Sequence, residues 1–178
     1  MTFQGKDYGC VMLNVEVQGI PEIPADWAYI DPDNPKDYGI PVQKHVTIKY
    51  GLIPELVSRE DVLNLDSPEC SHTVFGSFGL EWFGNSDDYA VAVLALKGAD
   101  LQVLHRYNAE LSTLPHIDTH PAYRPHVTLG YIKREYRHLV GRIITNEEVG
   151  RCSIVAKNIV ISGLPARTSP TSKQEVNA

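Results

Sequence analysis

The chain has 178 residues, 43% hydrophobic and 21% charged, with a formal net charge of −6. This suits one globular domain or two tightly joined lobes with a sizeable core. The acidic balance argues against polymeric DNA or RNA as partner, whose binding surfaces are basic, yet leaves room for a small anion in a locally positive cleft. Cys10, Cys70 and Cys152 lie far apart and form no CxxC pair, so free thiols in a reducing compartment are expected rather than a disulfide framework or zinc ribbon. MTFQGKDYGC lacks a signal-peptide pattern and no apolar run is long enough to span a bilayer. A cytoplasmic protein with no membrane partner is expected.

In chain order, Tyr8 to Val17 is apolar and β-rich and predicts a buried first strand. Residues 18–44 carry Pro21, Pro24, Pro32, Pro35 and Pro41 among Asx residues, a density that breaks regular structure. A loop this long is a candidate lid or substrate flap. His45 to Tyr50 predicts a strand closed by Gly51, and Pro54 to Leu65 a helix, with Ser58 and Asp61 as a capping pair. Thr73 to Phe83 and Tyr89 to Leu96 predict antiparallel strands joined at GNSDD. Ala99 to Leu114 has apolar residues at Leu101, Leu104, Leu111 and Leu114 and is the strongest helix, ended by Pro115. A second strand starts at His126, a short helix spans Tyr136 to Ile144, and Cys152 to Ser162 predicts a last strand or strand pair. The polar residues 165–178 are expected to be disordered. The sum is an α+β chain, with residues 1–164 as one domain of two sheet-and-helix lobes.

Two segments repeat: HVTIKYG from His45 and HVTLGYI from His126. They lie roughly eighty residues apart, so one is expected in each lobe. Strand side chains alternate, so His45 and Thr47 share one face, His126 and Thr128 another, and the intervening valines point into a core. Histidine can take or give a proton near neutrality. Two histidines flanking a phosphorus would serve as base and acid, and two threonine hydroxyls would donate to its non-bridging oxygens. A lone His-x-Thr is weak; two copies in matching strand contexts are not. Aromatic rings could stack bases. Trp82 is the first candidate, followed by Tyr131 and Tyr50 after the motifs and Trp27 and Tyr38 in the long loop. Lys49, Arg124 and Lys133 flank the motifs. His116, Asp118, His120 and His126 form a rival cluster, but the prolines among them exclude helical ligand spacing, and no metal is expected.

The paired motifs resemble the 2H phosphoesterase superfamily, with His45 and Thr47 matching its first signature and His126 and Thr128 its second. The resemblance implies a bilobal α+β fold, pseudo-symmetric sheets forming a concave cleft with helices outside, and metal-independent cleavage of ribose phosphodiesters without a cofactor. DYGI…KHVTIKYGL after a Pro/Asp-rich insertion is similar to the phage anti-CBASS branch, which degrades cyclic di- and trinucleotide alarm signals. That branch implies a host bacterial cytoplasm, a counter-defence role, no obligate protein partner, an early tyrosine matched by Tyr8, and a late glutamate matched by Glu147 or Glu148. The alternatives are a LigT-like enzyme acting on RNA ends, 2′-5′ linkages or 2′,3′-cyclic phosphates, and a non-catalytic nucleotide sponge. Two intact His-x-Thr copies disfavour the sponge, which needs no proton shuttle.

Overall fold

The computed structural model describes residues 2–3, 6–35, 37–65, 73–84, 86–99, 101–120 and 122–167. A small hairpin, β1 (Thr2–Phe3) and β2 (Lys6–Asp7), precedes the main sheet. That sheet contains β3 (Gly9–Gln18), β4 (His45–Leu52), β5 (Val74–Phe75), β6 (Phe78–Phe83), β7 (Tyr89–Leu96), β8 (His126–Lys133) and β9 (Ser153–Ser162). All neighbours are antiparallel, in the order β5-β9-β3-β4-β8-β7-β6. The helices are α1 (Arg59–Leu63), α2 (Leu101–Leu111), α3 (Arg137–Ile143) and α4 (Asn146–Arg151).

The predicted strand Thr73 to Phe83 is in fact two. β5 pairs with β9 at one edge and β6 with β7 at the other, with Gly76 and Ser77 between them. Three residue steps reach at most about 11 Å. A flat seven-stranded sheet would hold its edges about 29 Å apart, six spacings of about 4.8 Å. The sheet therefore curls until its edges nearly meet, an α+β fold with a mostly closed sheet. Period-two patterning runs through both pieces, so the change of edge left no mark in the sequence.

One face of the sheet forms the core. Val11 and Leu13 of β3, Val46 and Ile48 of β4, and Val127 and Leu129 of β8 pack with Leu104, Tyr107 and Leu111 of α2, Val140 of α3 and Val149 of α4. Helix α1 carries the expected capping pair: Ser58 Oγ accepts from the Asp61 amide while the Asp61 carboxylate accepts from the Ser58 amide. It is shorter than predicted, because residues 54–56 form a turn. α4 was not anticipated; Thr145 caps it by accepting from the Glu148 amide. Residues 165–167, expected in the free tail, lie against α1, where the Arg59 amide donates to the Pro165 carbonyl and the Arg167 amide to Glu60. Cys70 and residues 168–178 lie outside the described residues. No helix among the described residues is long and apolar enough to cross a membrane.

The central strands β4 and β8 share one register pair, Val46 with Val127. Beyond it they run apart, and each is continued by a loop. Residues of the 18–44 segment flank β8: the Tyr29 amide donates to the Tyr131 carbonyl, the Tyr131 amide to the Gly39 carbonyl, and Ala28 bridges Ile132. The 115–117 segment flanks β4, with the Ile117 amide donating to the Gly51 carbonyl and His116 bridging Leu52. Gly51 has φ +98°, and a Cβ there would lie 2.4 Å from the Ile117 carbonyl oxygen, so only glycine admits this approach. The proline-rich loop is thus docked in the sheet along part of its length.

Candidate active site

The Val46–Val127 pair sets the geometry of the repeated segments. Both valines are buried in the core, so their neighbours project from the opposite, solvent-facing side. In an antiparallel pair this register sets His45 across from Thr128 and Thr47 across from His126. The histidines occupy one diagonal, a separation of about 7–8 Å between diagonal neighbours, and the threonines the other. A local twofold between the strands exchanges the two His-x-Thr units. A tetrahedral phosphate above Val46 and Val127 would have an imidazole and a hydroxyl on each side.

Each imidazole is anchored to the backbone two residues before it. His126 Nδ1 lies 2.7 Å from the Arg124 carbonyl oxygen. A carbonyl only accepts, so Nδ1 carries the proton and Nε2 is left for chemistry. The His45 ring also bonds the backbone at Gln43, which favours its protonated form. Burial pushes both imidazoles below their usual range, while these backbone bonds oppose the shift. Lys44 adds to the lowering at His45, and His120, His45 and Arg124 add to it at His126. The effect of His45 on His126 is what a nearby imidazole produces.

The surroundings differ. Asn14 of β3 lies across from His45, and Met12 across from Thr47. Ala95 of β7 lies across from His126, and the Phe83 ring meets the His126 ring edge-on at 4.8 Å. The Arg124 guanidinium sits 4.5 Å above Phe83 and donates to Glu81 at 2.8 Å, while Lys97 pairs with the same carboxylate at 3.2 Å. Phe83 and Glu81 share the His-x-Thr face through their registers with Val91 and Val93. Neither was anticipated; alternation along β6 was the available signal, and it needed the strand's true register.

Two β-bulges extend this face. Between Thr47 and Lys49 the pairing of β4 with β3 slips by one residue, leaving Ile48 without a ladder partner. Between Thr128 and Gly130 the pairing of β8 with β7 slips likewise at Leu129. Each inserted residue is the fourth of its strand, and each reverses the alternation after it. Lys49 therefore turns inward, where it is buried and donates to Ser112 at 3.0 Å. Tyr50 and Tyr131, the sixth residues, swing onto the face of the histidines. Strict alternation would have sent both tyrosines into the core.

The anticipated ligand-binding residues divide. Tyr8 meets Tyr50 edge-on at 6.2 Å, so the structure brings it to this face. Tyr131 is there too, in ring contact with Tyr38 at 5.0 Å and Tyr89 at 5.7 Å. Tyr38 donates to the Tyr89 hydroxyl, which with burial pushes it up to about 12. Trp82 is not brought to the site. It projects from the helix side of β6, packs against the core, and lies under the Arg137 guanidinium at 5.0 Å. Glu148 is not brought there either. It sits in the first turn of α4, 3.4 Å from Arg151, beside the core residue Val149, and Glu147 pairs with the same arginine. A carboxylate that does lie on the His-x-Thr face is Glu81.

Lys133 donates to the Asp26 carbonyl at 2.7 Å, tying the long loop to β8, and Trp27 stacks on Tyr136 at 5.6 Å. In the rival cluster, His116 Nε2 lies 3.3 Å and Lys49 Nζ 3.5 Å from Asp118. Among the described residues no group of three His, Cys, Asp or Glu side chains is disposed to hold a metal ion. Surface depressions of about 580 and 660 Å³, the first lined by Ala99, Gln102 and Arg106 and the second by Ala25, Tyr29 and Asp88, do not include the motif residues.

No family model matches the chain, and no curated protein matches it. Among solved structures, Kluyveromyces marxianus Usb1 superposes with a TM-score of 0.47 at 12% identity, covering 89% of this chain and 99% of that one.

Proposed function

We propose that the protein is a metal-independent phosphodiesterase of the 2H type, acting on ribose phosphodiesters by paired-histidine acid–base catalysis. The observation that carries this is the diagonal pair His45 and His126, interleaved with Thr47 and Thr128 around the Val46–Val127 pair. One Nε2 removes the proton of the attacking oxygen: the 2′-hydroxyl at a 3′-5′ linkage, the 3′-hydroxyl at a 2′-5′ linkage, or water at a 2′,3′-cyclic phosphate. The attacking oxygen bonds to phosphorus as the bond to the leaving oxygen breaks, and the other imidazolium gives the leaving oxygen a proton. The threonine hydroxyls donate to the non-bridging oxygens, where charge builds. Burial favours neutral rings, which suits the base; the incoming phosphate favours protonation of the acid. The bilobal reading is supported by the single-pair join of β4 and β8, with residues 1–164 taken as one domain.

RNA ends, 2′-5′ linkages and 2′,3′-cyclic phosphates form the first substrate class. A second reading, cyclic di- or trinucleotides cleaved as a phage counter-defence, is favoured by the aromatic groups on both sides of the reaction centre. Tyr50 with Tyr8 lies on one side and Tyr131 with Tyr38 and Tyr89 on the other. Such rings suit a ligand with a base on either side of its phosphate.

The test is incubation with 2′,3′-cyclic AMP, 2′-5′-linked diadenylate and 3′,3′-cyclic GMP–AMP in excess EDTA, followed by chromatography. Product from at least one, absent with His45→Ala, is expected. Tight binding without turnover of any would favour a sponge and sink the enzyme; activity abolished by EDTA would sink the metal-free mechanism.

A further inference from the structure

The matched bulges raise a question of accounting. Ile48 and Leu129 are outside the ladders of β3 and β7, and a buried carbonyl without a partner is costly. Both carbonyls are met by side chains from elsewhere. Asn108 Nδ2 of α2 donates to the Ile48 oxygen at 2.6 Å. Lys44 Nζ donates to the Leu129 oxygen at 3.1 Å and the Pro41 oxygen at 2.9 Å. Just past the end of α2, Ser112 receives Lys49, the residue that the first bulge turns inward. Lys44 is half-buried, and burial lowers its ammonium to about 8, so its position costs solvation that two carbonyls partly replace.

We propose that Lys44 and Asn108 are positioning residues. Each clamps the carbonyl of one bulge, and each bulge holds one tyrosine, Tyr131 or Tyr50, on the reaction face beside the histidines. The two clamps are chemically unlike, an ammonium and an amide, yet they serve equivalent points of the repeated His-Val-Thr-x-x-Tyr unit. Releasing a clamp favours regular pairing, which would return the tyrosine toward the core face and leave His and Thr in place. The consequence rests on the proposed phosphodiesterase reading: substrate binding weakens while the chemical step persists.

The test pairs kinetics with structure. Lys44→Met, Lys44→Arg and Asn108→Ala are assayed on 2′-5′-diadenylate and 3′,3′-cyclic GMP–AMP, and crystal structures of Lys44→Met and Asn108→Ala are determined. Loss of one clamping hydrogen bond is expected to raise KM about tenfold with little change in kcat when each variant is compared at its own pH optimum, since Lys44 also lowers His45. Lys44→Arg, which keeps a cationic donor, is expected to recover most of the affinity. The crystal structures are expected to show the one-residue offset lost at the affected bulge. An unchanged KM in both clamp variants, or an offset retained in either structure, overturns the proposal. If Asn108→Ala fails to fold, Lys44→Met decides by the same two readings. If the wild type cleaves neither dinucleotide, the two structures still decide the role of the clamps, and only the functional reading falls.

Discussion

Replacing Val46 with alanine tests the join on which the candidate site depends. Val46 and Val127 are each 0% exposed and form the one register pair between β4 and β8. Valine to alanine removes two methyl-sized groups, about 1.6 kcal/mol of transfer free energy at about 0.8 kcal/mol per group. An unfilled cavity adds up to about 1 kcal/mol. Each single variant should therefore lose about 1.5–3 kcal/mol, a large share of the roughly 5–15 kcal/mol that holds a domain together. For a chain of this size the melting temperature should fall by about 3–12 °C. Because the valines face each other, the double variant should lose less than the sum, by about 0.5 kcal/mol or more. Urea denaturation followed by the fluorescence of Trp27 and Trp82 measures all three. A loss under about 0.7 kcal/mol in either single variant, or strict additivity at unchanged m-value, would refute the packing of this join.

Further predictions concern the histidines and the residues around them. His45→Ala and His126→Ala should each lower kcat by about 10²-fold or more while circular dichroism stays native; near-wild-type turnover in either would break the pairing. Both imidazoles have folded-state values below their unfolded one, so the unfolded chain binds protons first. Their contribution to stability is therefore present above about pH 6.5 and lost as pH falls below it. The same depression sets the free-enzyme optimum of kcat/KM on the acid side of about pH 6.5; an optimum well above neutrality contradicts this. Trp82→Leu should lower thermal stability and leave KM unchanged, because Trp82 packs on the helix side, whereas Phe83→Leu should raise the His126 titration midpoint in NMR by uncovering its ring.

Much of this architecture follows from local pattern. Strands at 9–18, 45–52, 89–96, 126–133 and 153–162 stand where β-branched runs place them, and α2 follows its 3.6-residue period. The Ser58–Asp61 cap is a short-range device and was legible as one. The split of β5 from β6 was not, because pairing partners at opposite edges are chosen by curvature of the whole sheet. Trp82 and Phe83 are neighbours in sequence, and only the register of β6 on β7 assigns the phenylalanine to the site face.

By itself the sequence determined the repeated units: two histidines, two threonines and two valines, with the alternation that separates the polar side chains from the core. Tertiary structure decided the rest. It set the His-x-Thr strands side by side through one valine pair, and it inserted Ile48 and Leu129 as bulges. A strand has a period of two, so a one-residue slip reverses every side chain beyond it. Such a slip is invisible along the chain and depends on the neighbouring strand and on a donor for the displaced carbonyl. That is why Tyr50 and Tyr131 stand with the histidines, and why Lys49 does not.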